Sequence, residues 1–337
     1  MENKHIPVMI EEVKSYIPVN KELNIIDATF GGGGYSKIFL ENFKIGKLIA
    51  IDRDPLSNFF AKKLSEKYNN FKLINGCFGE IDNLIKNDNL NNKTQFDLII
   101  FDLGLSTNQL EDPKRGFSFL TNSPLNMGMG NNKKTVLDVI NNYSENELAN
   151  ILYKFGEEKF SRKIAKNIVI NRRKKTIKTT NELSDIIKNS VPFNNHNKKV
   201  HPATKTFQAI RIFVNREISE LIEGVMKATK ILKKDGKLVV ISFQSIEDKI
   251  IKYFFKNYSL NNSRPSRYFP INENEFLNLF MSYQNKVFKP SEKEIKINPP
   301  SRSAKLRFAI RNDNKFSPPL EFKLKFKKYL DIENTNA

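Results

Sequence analysis

The stretch Ile25-Ile26-Asp27-Ala28-Thr29-Phe30-Gly31-Gly32-Gly33-Gly34-Tyr35-Ser36 decides the fold of this chain. It opens with two β-branched residues after Leu23, which is typical of a short buried strand. Four glycines follow, and the next residues, 37–40, have helical spacing. A strand, a glycine turn and a helix form the start of a βαβ unit. Glycine permits the positive φ of a tight turn and lets the backbone come close to a ligand.

The residues around the turn favour S-adenosylmethionine (SAM) over a dinucleotide. Counted from Gly31 and Gly33, the third position of the dinucleotide fingerprint is Ser36, where the fingerprint requires Gly or Ala. Asp27 comes just before the turn, where a carboxylate repels phosphate and attracts an ammonium group. SAM carries an ammonium and a sulfonium group and no phosphate. Two alternatives to a SAM-binding turn are an NAD-linked oxidoreductase, from another enzyme class, and a glycine-rich loop that binds no ligand.

Three acids end three predicted strands. Asp27 ends the first strand, Asp52 ends a strand over 47–52, and Asp102 ends a strand over 96–102. Ligands of open parallel sheets bind at the carboxyl ends of the strands. Asp52 lies 21 positions after Gly31, the separation expected for a carboxylate that accepts hydrogen bonds from ribose hydroxyls. Phe78 follows another predicted strand and is a candidate for contact with an adenine face, with a core aromatic as the alternative.

Alternating strands and helices predict an α/β fold with a parallel, Rossmann-like sheet and an inserted helical domain. The strand pattern stops after residue 102 and returns at 237–243, and the residues between show loops and helices. One long helix is predicted from Pro202 to Ile231, and the tail is predicted to be a loose end. The predicted divisions are a first core part at 1–108, a helical substrate-recognition insertion at 109–205, a second core part at 206–311 and a charged tail at 312–337.

The charge of the chain indicates a polyanionic partner. Fifty-six basic and 37 acidic residues give a net charge of +19, which attracts RNA or DNA. A lysine-rich background is the alternative reading of this bias. A predicted helix over 159–175 concentrates basic side chains that suit phosphate contacts. They are Arg162, Lys163, Lys166, Arg172, Arg173, Lys174 and Lys175.

Several classes of protein are disfavoured. Cys77 is the single cysteine, so an internal disulfide is excluded and a reducing compartment fits. No run of 18 apolar residues predicts a membrane helix, and no His, Cys and Asp cluster has metal-ligand spacing. We therefore expect a soluble cytoplasmic protein without a metal. The oligomeric state is left open, a homodimer included.

Motifs distributed along the chain resemble those of one known family. They are His5-x-Pro7-Val8, Asp27-Ala-Thr-Phe-Gly-Gly-Gly-Gly34, Ala50-Ile-Asp-Arg-Asp-Pro55, Asp102-Leu-Gly-Leu-Ser-x-x-Gln109, Arg115-Gly-Phe-Ser-Phe119, Tyr153-x-Phe155-Gly-Glu-Glu158, His201-Pro-Ala-Thr-Lys-Thr-Phe-Gln-Ala209, Val239-Val-Ile-Ser-Phe243 and Ser301-Arg-Ser-Ala-Lys-Leu306. Over residues 5–311 the chain resembles the bacterial small-subunit rRNA (cytosine-N4-)methyltransferase family, RsmH or MraW.

The resemblance implies a SAM-dependent enzyme that methylates N4 of a cytidine in the decoding region of 16S rRNA, within the small ribosomal subunit. It implies SAM contacts at Gly33, Gly34, Tyr35, Asp52, Phe78, Asp102 and Gln109, to which the reading of the turn adds Asp27 and Gly31.

Asp102 and Ser106 are candidate catalytic residues, because their segment lies where amino-methyltransferases commonly place the acceptors of the reacting amine. Arg115, Phe117 and Phe119 are candidates for the pocket of the unstacked base and its RNA, with core packing as the alternative for both phenylalanines.

The chain departs from the family pattern at three places. Tyr35 and Gln244 stand where the family usually has His, and 126–130 read Asn-Met-Gly-Met-Gly where Asp-Met-Arg-Met-Asp is usual. An RNA-binding homologue with impaired catalysis and a methyltransferase for another RNA site are therefore alternatives. His5 and His201 are interpreted as structural, and His196 as solvent-facing.

Overall fold

The computed structural model describes residues 6–88, 95–130, 134–192, 201–260, 278–283 and 285–335 of the 337-residue chain. The chain folds into two compact units. The first comprises residues 1–104 and 220–326, and the second comprises 105–219 and 327–337. His5 and His196 lie outside the described residues.

A six-stranded sheet forms the first unit, in the order β3-β2-β1-β4-β5-β6. Five strands are parallel, and β6 runs antiparallel to β5. The order reverses between β1 and β4, so the carboxyl ends of those two strands border the topological switch point. The strands are β1 Leu23–Asp27, β2 Ile45–Asp52, β3 Phe71–Asn75, β4 Phe96–Asp102, β5 Leu232–Ser242 and β6 Lys305–Ile310. The predicted Rossmann-like α/β class is confirmed.

Continuous apolar runs form the central strands because both faces of the sheet are covered. Ile25, Ile26, Ile99 and Ile100 are all buried. The helices of this unit are α1 Ile10–Ser15, α2 Gly34–Asn42, α3 Ser57–Lys67, α4 Ile81–Asn87, most of α11 Glu217–Ile231, α12 Ser245–Asn257, α13 Glu292–Ile297 and α14 Leu320–Lys325.

The second unit is helical among its described residues. Four of its helices begin with a capping box, in which the cap hydroxyl and a Gln, Asp or Glu side chain three residues later satisfy each other's backbone N–H groups. The helices are α5 Thr107–Glu111, α6 Val136–Asn142, α7 Glu145–Gly156, α8 Ser161–Lys174, α9 Thr180–Ser190, α10 Thr204–Asn215 and α15 Lys327–Asn334, with the start of α11 Glu217–Ile231.

The long helix predicted from Pro202 to Ile231 is two helices. Arg216 ends α10 in the left-handed conformation, with φ 53°, and its N–H bonds to the carbonyls of Ile212 and Phe213. Its neighbour Asn215 is buried and donates to the carbonyl of Met127 at 2.8 Å. The hydrophobic pattern runs through this break unchanged, so periodicity alone does not reveal it.

The tail predicted as a loose end is folded. In the first unit, the α14 side chain Phe322 is buried and stacks on Phe254 with ring centroids 4.7 Å apart. In the second unit, the α15 carboxylate Glu333 is buried and accepts the N–H groups of Ile218 and Ser219 at 3.1 and 2.7 Å. Burial raises the pKa of Glu333 to about 7. The charged composition concealed this packing, because the anchoring residues are few and widely spaced.

Candidate functional site

The glycine bend, residues 31–34, requires glycine at two positions. Gly31 and Gly33 have φ of 53° and 79°, which side chains disfavour. A Cβ on Gly33 would also lie 2.7 Å from the ring of Phe30. Gly33 is the N-cap of α2 in the left-handed conformation, and no side chain caps the first N–H groups of that helix from this position.

Asp52 joins the end of β2 to the bend. One carboxylate oxygen accepts the Gly31 N–H at 2.6 Å, and the other accepts the Asp54 N–H at 2.8 Å. Each oxygen keeps a second lone pair that suits a ribose hydroxyl. Burial raises the pKa of Asp52 despite these two hydrogen bonds.

Asp27 is 1% exposed and engaged by protein donors. The Ser36 hydroxyl donates to one carboxylate oxygen at 2.7 Å, and the Thr29 N–H donates to the other at 3.4 Å. Burial raises the pKa of Asp27 to about 6, and the neighbouring carboxylate of Asp52 adds to the rise. Asp27 therefore orders the bend, and its buried position in the low-dielectric interior makes its negative charge favourable to a cationic ligand.

Asp102 carries a buried polar atom that lacks a hydrogen-bond partner. Its N–H donates to the Thr29 hydroxyl at 2.7 Å, but its buried Oδ1 has no hydrogen-bond partner among the described residues. Burial raises the pKa of Asp102 well above its ordinary value, and the carboxylates of Asp27 and Glu247 raise it further. An unpaired buried carboxylate is unfavourable, so this oxygen marks a place where a donor or a cation would bind.

The three acids together fit a cationic ligand. Asp27 and Asp102 end the two strands at the switch point, and Asp52 ends the strand next to β1. Their negative fields oppose one another's ionisation, so a phosphate would add to the repulsion while an ammonium or sulfonium would relieve it. These residues suit SAM and disfavour a dinucleotide.

Tyr35 and Phe78 differ in what they offer. The ring of Tyr35 is 4% exposed and its hydroxyl donates to the carbonyl of Val8, so only its backbone remains for a ligand. Phe78 is half-buried at the end of β3 and packs edge-on against Phe101, with ring centroids 5.4 Å apart. Its partial exposure fits contact with an adenine.

Ser106 and Gln109, in the second unit, form the capping box of α5. The Ser106 hydroxyl accepts the Gln109 N–H at 3.3 Å, and the Gln109 side-chain oxygen accepts the Ser106 N–H at 3.1 Å. These bonds account for both side chains structurally, and the catalytic role predicted for Ser106 stays a prediction. Gln109 is 8% exposed.

Arg115 and the 126–130 loop belong to one folded segment of the second unit. The Arg115 guanidinium donates to the Gly128 carbonyl at 2.8 Å and lies over the ring of Phe117. Met127 and Met129 are buried, and Asn215 bonds to the backbone of both. The residues that depart from the family pattern thus stand in an ordered turn.

The aromatic Phe119 of the same unit is a packing residue. It stacks on the ring of His201 with centroids 4.7 Å apart and meets Phe207 edge-on. The structural interpretation of His201 agrees with this contact, since its Nδ1 also accepts the Ala203 N–H at 3.2 Å.

Helix α8 presents a basic stripe. At about 100° per residue, its exposed residues fall within about 120° of the helix circumference. They are Arg162, Lys163, Lys166, Ile170, Arg173 and Lys174. Arg172 differs, because its guanidinium donates to the carbonyls of Ile140 and Tyr143 at 2.7 and 2.5 Å. These two bonds give the Arg172 guanidinium a structural role, and the RNA contact predicted for it stays a prediction.

Sequence reasoning missed three residues that build the site. Thr29 links Asp27 to the Asp102 backbone, and Ser36 holds Asp27. Glu247 accepts the N–H groups of Phe243 and Gln244 at 3.0 and 3.1 Å. The sequence does single out Ser36, because it occupies the third position of the dinucleotide fingerprint, where Gly or Ala is required.

Within the described residues, no helix is both long and apolar enough to cross a membrane. Across those same ranges, no group of three or more His, Cys, Asp or Glu side chains is arranged to hold a metal ion.

Comparison with known proteins gives one consistent result. The sequence profile of the MraW methylase family matches residues 2–312. The chain is 39% identical to the ribosomal RNA small subunit methyltransferase H of Methylorubrum extorquens, over 94% of this chain and 89% of that protein. It is 41% identical to the protein of the same name from Rickettsia canadensis, over 92% and 98%. An rRNA methylase structure from Streptococcus thermophilus aligns with 92% of this chain and 99% of its own at 11% identity, with a TM-score of 0.41, too low to support a conclusion.

Proposed function

The chain belongs to the MraW methylase family, and from this premise we propose that it transfers the methyl group of SAM to N4 of a cytidine in the decoding region of 16S rRNA. The relatives at about 40% identity carry the name ribosomal RNA small subunit methyltransferase H. The family supplies the reaction class, and the cytidine and its N4 atom are the finer part of the proposal. The enzyme acts in the cytoplasm, where small ribosomal subunits are assembled.

The observation that carries the donor assignment is the unpaired Oδ1 of Asp102 beside the buried Asp27. When bound, SAM supplies an electrophilic methyl group on a cationic sulfur. Asp102 offers a carboxylate oxygen to the cation or to the amine of the base, and Asp52 offers its spare lone pairs to the ribose. Gly104 follows Asp102 with φ 113°. The nearest atom to a Cβ there would be 3.7 Å away in Phe243, so the backbone leaves room beside the acid.

Binding and orientation are the work proposed for these side chains. The exocyclic amine of cytosine is a weak nucleophile, because its lone pair is delocalised into the ring. Acceptors that hold the amine in line with the methyl group lower the barrier by positioning and by stabilising the developing charge. A strong general base is not needed, since the proton can leave after transfer.

The basic stripe of α8 is the proposed RNA contact. Arg162, Lys166 and Arg173 lie along one line of that helix and are exposed, as phosphate-binding side chains must be. Such contacts position the RNA without reading its sequence and weaken with salt. The target base itself must leave its stack to reach the donor.

The test is transfer from tritiated SAM to small ribosomal subunits that lack the modification, followed by nucleoside mass spectrometry. We expect label in N4-methylcytidine with the wild-type protein and a large loss with Asp102→Asn. Label in another nucleoside would favour the alternative of a different RNA site. RNA binding without label would favour the homologue with impaired catalysis, which the altered 126–130 loop keeps under consideration.

A further inference from the structure

Helix α11 turns one narrow face toward the turn that carries Phe78. Glu220, Gly224 and Lys227 are spaced by four and three residues, so they fall within about 60° of the helix circumference. All three belong to the first unit. The segment that they contact is a short 3-10 turn, Phe78–Glu80, which begins three residues after the end of β3.

Two of these side chains hold the backbone of Gly79 from both sides. A carboxylate oxygen of Glu220 accepts the Gly79 N–H at 2.8 Å. The ammonium of Lys227 donates to the Gly79 carbonyl at 2.7 Å and to the Glu80 carboxylate at 2.8 Å. Both polar backbone groups of the residue after Phe78 are thereby fixed by one helix.

The absence of a side chain at Gly224 lets the Phe78 ring pack against the backbone of α11. A Cβ at position 224 would lie 2.7 Å from Cδ2 of Phe78 and 3.3 Å from Phe101. Glycine in a helix interior is less stable than alanine. Its presence here is explained by the ring, which rests directly on the helix backbone.

The same face reaches the residue before Phe78. Burial raises the pKa of the Cys77 thiol, and the carboxylate of Glu220 raises it further. The contacts of α11 thus hold residues 78–80, which follow β3, the strand whose end pairs with Asp52.

We propose that Glu220, Gly224 and Lys227 are positioning residues that fix the Phe78 turn as the wall for the adenine of the methyl donor. This assignment rests on the proposed function, since it takes SAM to be the ligand. A wall held in place before binding loses little freedom when the ligand arrives. The three residues should therefore affect the affinity for the donor and leave the rate at saturating donor unchanged.

The test compares Gly224→Ala, Glu220→Ala and Glu220→Gln with the matched control Glu223→Gln. Glu223 lies on the same helix but pairs with Lys323, with Nζ and Oε1 2.5 Å apart. Calorimetric titration gives the Kd of S-adenosylhomocysteine and of methylthioadenosine, which has the adenine but no amino acid. Transfer to small subunits gives kcat and the KM for SAM.

We expect Gly224→Ala and Glu220→Ala to weaken both ligands by the same factor, roughly tenfold if a base–aromatic contact is lost. Glu220→Gln should recover most of the affinity, because its amide oxygen still accepts the Gly79 N–H. The kcat at saturating SAM should match that of the wild type and of Glu223→Gln.

Three results would overturn the assignment. They are unchanged Kd values in Gly224→Ala and Glu220→Ala, a loss confined to kcat, and a loss as large in Glu220→Gln as in Glu220→Ala. Failure of the wild-type protein to bind S-adenosylhomocysteine would instead refute SAM as the donor, so the two failures are distinguishable.

Discussion

Replacing Asp27 with Asn should stabilise the ligand-free protein while weakening the donor site. The carboxyl is buried and its pKa is raised to about 6 from an ordinary 3.8. A carboxyl with a raised pKa binds its proton more tightly in the folded chain than in the unfolded one. Below about pH 3.8 the group is protonated in both states and carries no penalty. As the pH rises from about 3.8 to about 6, the unfolded chain ionises while the folded chain keeps its proton, and stability is lost.

The size of the effect follows from that pKa. A change from 3.8 to about 6 corresponds to about 3 kcal/mol of lost stability at neutral pH. The Asn amide keeps an acceptor for the Ser36 hydroxyl, 2.7 Å from the carboxylate in the wild type, but turns a donor toward the Thr29 N–H. That mismatch returns about 1 kcal/mol. The net gain is about 2 kcal/mol, or roughly 3 °C in Tm for a chain of 337 residues.

The assay is denaturant unfolding of wild type and Asp27→Asn from about pH 4 to about pH 8, with and without SAM. The difference in unfolding free energy should grow with pH and level off above about 6. SAM should stabilise the wild type more than the variant. Asp313→Asn is the control, because Lys234 lowers the pKa of that exposed carboxyl and its effect should have the opposite sign. A variant less stable than wild type at neutral pH, or a difference independent of pH, would refute the reasoning.

Three further predictions separate function from stability. Asp102→Asn should weaken SAM binding roughly tenfold or more, from the loss of a charged hydrogen bond, without lowering Tm; calorimetry and thermal melts check both, and unchanged affinity would end the assignment. Ser106→Ala should cost about 1 kcal/mol of stability through the lost helix cap. Its predicted catalytic role requires that kcat falls at a temperature where the variant is fully folded, and an unchanged kcat there would contradict that role. Arg172→Gln should cost about 2 kcal/mol of stability and leave RNA binding unchanged. Arg173→Gln should leave Tm unchanged and reduce the salt slope of RNA binding by about 1. A loss of RNA binding in Arg172→Gln together with a loss of stability in Arg173→Gln would contradict the roles given to these two residues of α8.

Sequence patterns predicted most of the sheet because β1, β2 and β4 are largely apolar runs that each end on an aspartate. Asp27, Asp52 and Asp102 mark those ends, and the structure places each at the end of its strand. Where backbone geometry rather than hydrophobicity determines the end of a helix or the start of a strand, the sequence patterns do not predict it. The break at Arg216 and the early start of β5 at Leu232 are of that kind.

The site shows the same limit at the level of single atoms. The motif predicts that Asp27 contacts a ligand, but it does not reveal that Ser36 and Thr29 donate hydrogen bonds to its carboxylate. Likewise a basic helix does not reveal that Arg172 points at two carbonyls instead of at solvent. Residue type predicts which hydrogen bonds and charges a side chain can offer, whereas only the structure shows which partner it contacts.

The burial of Glu333 has a consequence for biosynthesis. The helical unit draws on residues 105–219 and again on 327–337, and the start of α11 bonds to the Glu333 carboxylate, 114 and 115 residues further along the sequence. Translation runs from the amino to the carboxyl terminus, so this unit cannot finish folding until residue 333 has been synthesised. A premature stop codon before residue 333 would leave two amide protons of that helix without their acceptor.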